Sequence, residues 1–494
     1  MKSVSVTRSA AALLCATVVV LLTGCGYRPY KTTENQFAGR PVPPSKLTQR
    51  VMVAISQASL LSGALEVLDA RRDIRSNVYV ANSTTFITAF SGQAESVINY
   101  PEQMRGYVYN SDGSVNTVNY STEAGGGTTA ATAGTASSYF VPPDVFAVFT
   151  ASEQSGLFNM TQPSTSSATV SSLATGSFSF PIPSVYRVVT NPSHSVVLLM
   201  TRNTNAVYRV ISINSNQAAP VNAVSCLPVN KPLYCVVPIG NLSGGTVTEP
   251  TFHRPTNAYF SPDGSQVYFL SCGAECGGSG VDATAGISFA NIDSLRIDNY
   301  PTTYTSPVTS FLPVPGGVTA ALSDGTTLYV SGQSLQPDGL FAGNLSVIPL
   351  STRTVSNTYS ISDGTHTKML FADDNTLWIG SSLCASGERF AKGQNYNCLT
   401  RYDITNKTAA IVPAVTPGGT TKVQYPNENL DQYYYGSLTG LCWVEGLNKV
   451  YTAYGGQVHA FKTADGSEID NTNITVQGTA NDVAYIDATT NFTN

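Results

Sequence analysis

Nine cysteines and four histidines carry most of the reactive chemistry available to this chain of 494 residues. Six of the cysteines stand in close pairs: Cys226 with Cys235, Cys272 with Cys276, and Cys384 with Cys398. Such pairs either close local disulfides or, as thiolates, hold a soft metal. No second ligand pair accompanies Cys272 and Cys276, so disulfides are the preferred reading and no metal or cofactor is assigned. Cys442 is left over inside the apolar string GLCWVEG, where it packs as a small hydrophobe. Among His194, His253, His366 and His459 no two are spaced as metal ligands, and neither HExxH nor GxSxG with triad partners occurs. No catalytic residue is assigned.

Asp263 is the acid in the most motif-like string of the chain, FSPDGSQVYFL, residues 260–270. Pro262 has the φ suited to the second position of a turn, Asp263 can accept hydrogen bonds from nearby backbone, and Gly264 tolerates positive φ. The strings SDGT, ADDN, EGLN and PSHS recur in the same slot with different chemistry. A site is not rebuilt from such varied residues, whereas a turn is. Asp263 is therefore read as a turn residue, and so are Asp324, Asp373, Asp374 and His194.

The first 25 residues, MKSVSVTRSAAALLCATVVVLLTGC, place Lys2 and Arg8 before an apolar run from Ala10 to Leu22. That run is short for a membrane span, which needs about 20 residues, and it has the layout of a secretory signal. It ends in Leu22-Thr23-Gly24-Cys25, which resembles the lipobox of bacterial lipoproteins. The resemblance implies cleavage after residue 24 and a lipid on Cys25. It also implies delivery to the outer membrane, since Gly26 rather than Asp follows the cysteine. Several acyl chains, each contributing about 0.8 kcal/mol per buried CH₂, make a persistent anchor. Residues 25–48, polar and proline-bearing, are expected to tether the lipid to a domain spanning 49–494. Loss of residues 1–24 leaves 24 basic against 31 acidic side chains, a net charge of −7. No basic patch is present, so nucleic acid is not expected as a partner.

From about Gln49 onward one pattern recurs. A strand ends in a tight turn, an alternating apolar strand follows, and after a loop of variable length comes another strand. The second strands are RVMVAIS, RGYVYNS, AVFTAS, VLLMTR, QVYFLS, TLYVSG, TLWIGS and KVYTAY. Equivalent positions, from Met52 to Tyr451, are 41 to 73 residues apart. Four-stranded units of roughly 40–50 residues are the mark of a β-propeller. The expected fold is thus all-β, a propeller of eight blades. Seven is the competing count, because NVYVANSTTFITAF at 77–90 forms a rival strand pair. The first unit lacks an inner strand and the last is followed by an extra one, DVAYIDATT at 482–490. That C-terminal strand is expected to close the ring.

FSPDGSQVYFL resembles the repeats of WD40-like and YVTN-type propellers, and KVYTAYGGQVHAFKTADGSEI resembles a quinoprotein-type repeat. The resemblance implies an architecture, and one architecture hosts many functions. His253 and Arg254, in TFHRPTNAYFSPDG, loosely match a string of the lactonase-type propellers. Long insertions at 240–256, 272–286, 332–344, 382–397 and 416–436 fall in connections expected on one face, from second to third strands or from blade to blade. Tyr425, Tyr433, Tyr434 and Tyr435 supply candidate contacts there. The expected function is a lipid-anchored, non-catalytic binding or scaffold protein. Its lipid meets the membrane, and its loop-rich face meets a protein, peptide or glycan. The alternatives are a lactonase-type hydrolase with a central-channel site and, on the quinoprotein-repeat resemblance, an assembly scaffold for outer-membrane proteins.

Overall fold

A computed structural model describes residues 39–491 apart from 58–61, 76–85, 91, 132–135, 144–146, 162–176, 215, 230–232, 241, 244–245, 248–251, 277–283, 302–305, 338–340, 385–396, 414–435, 470–473 and 475. Cys25, Tyr425, Tyr433, Tyr434 and Tyr435 lie outside the described residues.

Eight antiparallel sheets of three to five strands succeed one another along the described chain, with a separate two-stranded hairpin, Leu242–Ser243 with Thr246–Val247, between the fourth and fifth. Their second strands, each flanked by an inner and a third strand, are Arg50–Gln57, Arg105–Asn110, Val148–Ser152, Val197–Thr201, Gln266–Ser271, Thr327–Leu335, Thr376–Ser382 and Lys449–Tyr454, defining blades 1 to 8. These strands are apolar on both faces because both faces are covered. In Arg50–Gln57, Val51, Val53 and Ile55 pack with Cys442, Tyr451 and Ala460 of blade 8. Met52 and Ala54 pack on the other side with Val108 and Val118 of blade 2. A two-layer protein would have left one of these faces polar.

The same arrangement holds at every seam. Separate apolar clusters join blades 1 and 2, 2 and 3, 3 and 4, 4 and 5, 5 and 6, 6 and 7, 7 and 8, and 8 and 1. The molecule is therefore a closed eight-bladed β-propeller. Residues 77–85 of the rival strand pair lie outside the described residues. Its described part, Phe86–Phe90, pairs with Ser62–Asp69 as an outer strand of blade 1.

The inner strand of blade 1 is the C-terminal Thr479–Tyr485, antiparallel to Arg50–Gln57. It begins and ends earlier than the expected 482–490. Val483 and Tyr485 face blade 8, and Ala484 and Ile486 face blade 2, as strand alternation requires. Ala488 breaks that alternation and joins the blade 8 side, because the strand has already ended. Two buried ion networks reinforce this closure. Arg50 binds Asp487 and Glu123, and Lys449 of blade 8 binds Asp73 of blade 1 at 2.8 Å.

The disulfides pair as expected: Cys226–Cys235, Cys272–Cys276 and Cys384–Cys398, with Cys442 buried and free. Cys226 and Cys235 face each other across the two outermost strands of blade 4, which has five strands. Blade 8 has three. The expected loop at 332–344 is largely strand: Thr327–Leu335 and Phe341–Pro349 extend one long hairpin.

Candidate functional site

The turn reading of Asp263 holds in detail. Its carboxylate accepts from the Ser261 hydroxyl at 2.6 Å and the Ser265 amide at 3.1 Å, and Gly264 sits at φ +69°. These hydrogen bonds, that of Ser261 first, hold the exposed acid below its ordinary range. Asp324 similarly accepts from the Thr326 and Thr327 amides. Asp373 does something more: it accepts from Trp443 Nε1 at 2.9 Å and so ties blade 7 to blade 8. All of these lie at the ends opposite the mouth described next.

Seven inner strands carry a β-bulge near their N-terminal ends. The bulged residues are Asn481, Glu95, Tyr186, Thr256, Thr319, Thr367 and Thr439, in blades 1, 2, 4, 5, 6, 7 and 8. A bulge turns one residue out of register and re-aims its side chain. Here several of those side chains reach the neighbouring inner strand. Asn481 Nδ2 donates to the Ala94 carbonyl at 2.6 Å, Tyr186 Oη to the Pro255 carbonyl at 2.8 Å, and Thr256 Oγ1 to the Val318 carbonyl at 2.7 Å. In blade 3 Ser137 donates likewise to the Tyr186 carbonyl at 2.8 Å. A polar collar thus stitches the blades together at one end of the channel.

The residue after each bulge occupies a second ring: Asp482, Ser96, Arg187, Asn257, Ala320, Lys368 and Gly440. Lys368 and Asp482 meet at 3.3 Å within a channel cavity of about 370 Å³. Gly440 makes room for this arrangement, since a Cβ there would stand 2.7 Å from the Asp482 Cα.

Above the collar, blades 3 to 7 frame a second cavity of about 350 Å³ at the channel mouth. Arg187, Arg202, Arg254, Thr256, Gln333 and His366 are among its lining. No carboxylate lines it among the described residues. Arg187 comes from the inner strand of blade 4, Arg202 from the connection after that blade's second strand, and Arg254 from the connection entering blade 5. Burial lowers the Arg187 pKa from its ordinary value; the adjacent Tyr186 opposes this and Arg202 adds to it. Its Nε is buried without a hydrogen bond. Arg202 lies over the Tyr186 ring at 4.3 Å and pairs with Glu153. Arg254 is held by its backbone: its amide donates to Asn205 Oδ1 at 3.0 Å, and its carbonyl accepts from the Cys272 amide at 3.0 Å.

His366 is buried, and desolvation lowers its pKa to about 4 against the opposing Ser362 carbonyl, so the ring is neutral near pH 7. Its Nε2–H donates to that carbonyl at 2.7 Å. His253 does not join the mouth. Its ring packs on Phe311 at 4.7 Å, in the outer strand of blade 5, so His253 and Arg254 diverge instead of forming one site.

The carboxylates of the two rings, Glu95 and Asp482, belong to blades 2 and 1, away from the arginines of blades 4 and 5. Partial burial raises the Glu95 pKa. The mouth is thus polarised, with cationic donors on one side. In the sequence Arg254 stands out only beside His253 in the lactonase-type string, Arg202 only as the end of a second strand, and Arg187 not at all. The signal was the inner-strand column: VYR, PTN, VTA, HTK, LTG and AND align once the bulge is recognised.

No family model matches the chain, and no curated protein matches it. It is similar to solved propeller-bearing structures. One is dihydro-heme d1 dehydrogenase NirN in complex with DHE, with a TM-score of 0.49 and 12% identity over 88% of this chain and 75% of that one. Another is Kuenenia stuttgartiensis hydrazine synthase, with 0.42 and 13% over 75% and 96%. A third is Saccharomyces cerevisiae Sqt1, with 0.45 and 10% over 76% and 84%. Likenesses this distant transfer no chemistry to this chain.

Proposed function

We propose that this propeller is a lipid-anchored, extracytoplasmic binding or scaffold protein, non-catalytic, that engages a protein, peptide or glycan through the face bearing the channel mouth. The observation that carries the reading is the mouth cavity. It is open, it is lined mainly by hydrogen-bond donors, and it is bordered by the connections after the second strands of blades 4 and 5 and by the hairpin of blade 6. Donors on a rigid collar suit recognition. The alternative is a lactonase-type hydrolase with a central-channel site, for which His366, Gln333 and Asn257 of the same lining are the residues at hand. The anchor rests on the lipobox resemblance at Cys25, and the cell envelope, with the outer membrane first, is the proposed location.

Two measurements test this. Fatty-acid labelling of the wild type and of Cys25→Ser should give label only in the wild type; equal label in both would remove the anchor. For the face, a photo-crosslinking residue at Asn203, on the mouth, should yield a discrete adduct in cells. One at Thr354, on the opposite side of blade 6, should not. Equal yields from both positions would sink the assignment of the mouth as the binding surface.

A further inference from the structure

Arg187, partly buried with its Nε fully covered, differs from Arg50 and Lys449. Arg50 has Asp487 at 2.7 Å and Glu123 at 2.8 Å, and Lys449 has Asp73 at 2.8 Å. Among the described residues no carboxylate pairs with Arg187, and its Nε has no hydrogen-bond partner. A buried charge without a counter-charge is costly, and a buried donor left unsatisfied adds to that cost. Arg202 adds like-charge repulsion. An anion from outside would supply both the missing counter-charge and the missing acceptor.

The surroundings agree. Arg187, Arg202 and Arg254 line one cavity, and its volume of about 350 Å³ is that of a small-ligand site. Thr256 and Gln333 add polar groups to the same wall. The Glu153 carboxylate is taken up by Arg202. Guanidinium groups bind planar or tetrahedral oxyanions through paired N–H donors, and they do so more strongly in a site partly removed from water.

We propose that the channel mouth is a binding site for an oxyanion, a carboxylate or phosphate group on a small molecule or at an exposed point of a partner, with Arg187 at its base and Arg254 and Arg202 on its wall. The proposal rests on the reading of this face as a binding surface and names the chemistry it recognises.

The test is calorimetric titration of the purified full chain with sodium phosphate and, separately, sodium citrate, with ionic strength held constant by sodium chloride. Saturable binding of at least one of the two is expected, with a dissociation constant below the millimolar range. Arg187→Gln and Arg254→Gln should each weaken it at least ten-fold, while Arg296→Gln, at an exposed pair far from the mouth, leaves it unchanged. Should the buried substitutions unfold the chain, Arg202→Glu reverses charge at a half-exposed side chain and should abolish binding with the fold intact. No saturable binding of either ion overturns the proposal, and so does binding that survives both Arg187→Gln and Arg202→Glu. The Asn203 crosslink separates the two readings. An adduct without ion binding leaves the face and removes the anion; ion binding without an adduct leaves the anion and removes the partner.

Discussion

Arg50 and Asp487, 437 residues apart in sequence, form a two-pronged ion pair in which Nε lies 3.0 Å from Oδ2 and Nη2 lies 2.7 Å from Oδ1. The Arg50 amide also donates to Oδ2 at 2.7 Å. Both side chains are essentially inaccessible to water. The pair therefore locks the start of the propeller to its end. Asp487→Ala should leave Arg50 buried with Glu123 alone, at a cost of roughly 3–5 kcal/mol. Urea denaturation monitored by tyrosine fluorescence would check this; a shift below about 1 kcal/mol would show that the latch is dispensable.

Gly440 permits the closest approach at the same seam. A Cβ there would stand 2.6 Å from the Val483 amide nitrogen and 2.7 Å from the Asp482 Cα, and backbone cannot swing away as a side chain can. Gly440→Ala should cost about 1–3 kcal/mol by prying the inner strands of blades 8 and 1 apart. Thermal melting of the variant against wild type measures it, and an unchanged midpoint would contradict the packing described for the channel.

His366 gives stability a pH dependence of definite sign. Its pKa is lowered from 6.5 to about 4 in the folded chain, so between these values the unfolded chain binds more protons. The group's contribution is fully present above pH 6.5 and is lost as pH falls toward 4, a change on the order of 3 kcal/mol. His366→Gln keeps a donor for the Ser362 carbonyl and removes the titration. Denaturation midpoints at pH 7 and pH 4.5 should differ less in the variant than in the wild type; equal differences would show that the ring is not the source.

The cysteines make a chemical prediction. Non-reducing peptide mapping should return Cys226–Cys235, Cys272–Cys276 and Cys384–Cys398. Burial pushes the Cys442 thiol well above its ordinary range, so it should resist alkylation until denaturant is added. Rapid labelling of Cys442 in the native chain would mean that the seam between blades 8 and 1 opens readily.

Much of this fold is legible in the sequence because propeller second strands are packed on both faces. A string such as RVMVAIS carries its one charge at the first residue of the strand and is apolar on both faces after it, so all eight such strings stand out. The inner strands are harder to read. A bulge at Tyr186, Thr256, Thr319, Thr367 or Thr439 shifts the phase of alternation midway, and simple alternation then fails to align one inner strand with the next. That is why Arg187, Lys368 and Asp482, which share one ring of the channel, were not recognised as a set. The outer strands vary most, as in the five-stranded blade 4 and the three-stranded blade 8, because only one edge of them is constrained. The hairpin of blade 6 was read as a loop because its polar residues, Gln333, Ser334 and Asn344, belong to strands that rise past the packed zone toward the mouth.

The strand that completes blade 1 is synthesised after every other strand of the ring. Until Thr479–Tyr485 emerges, Arg50–Gln57 has an unpaired inner edge and Arg50 has no Asp487. Seven finished sheets cannot substitute for it, since each seam is sealed only by the blade on either side. A prematurely terminated product would carry an open β-edge beside an uncovered apolar wall, both features that holdases and proteases engage. Pairing Arg50–Gln57 with Thr479–Tyr485 thus makes the seam between blades 8 and 1 the one that depends on both ends of the ring at once.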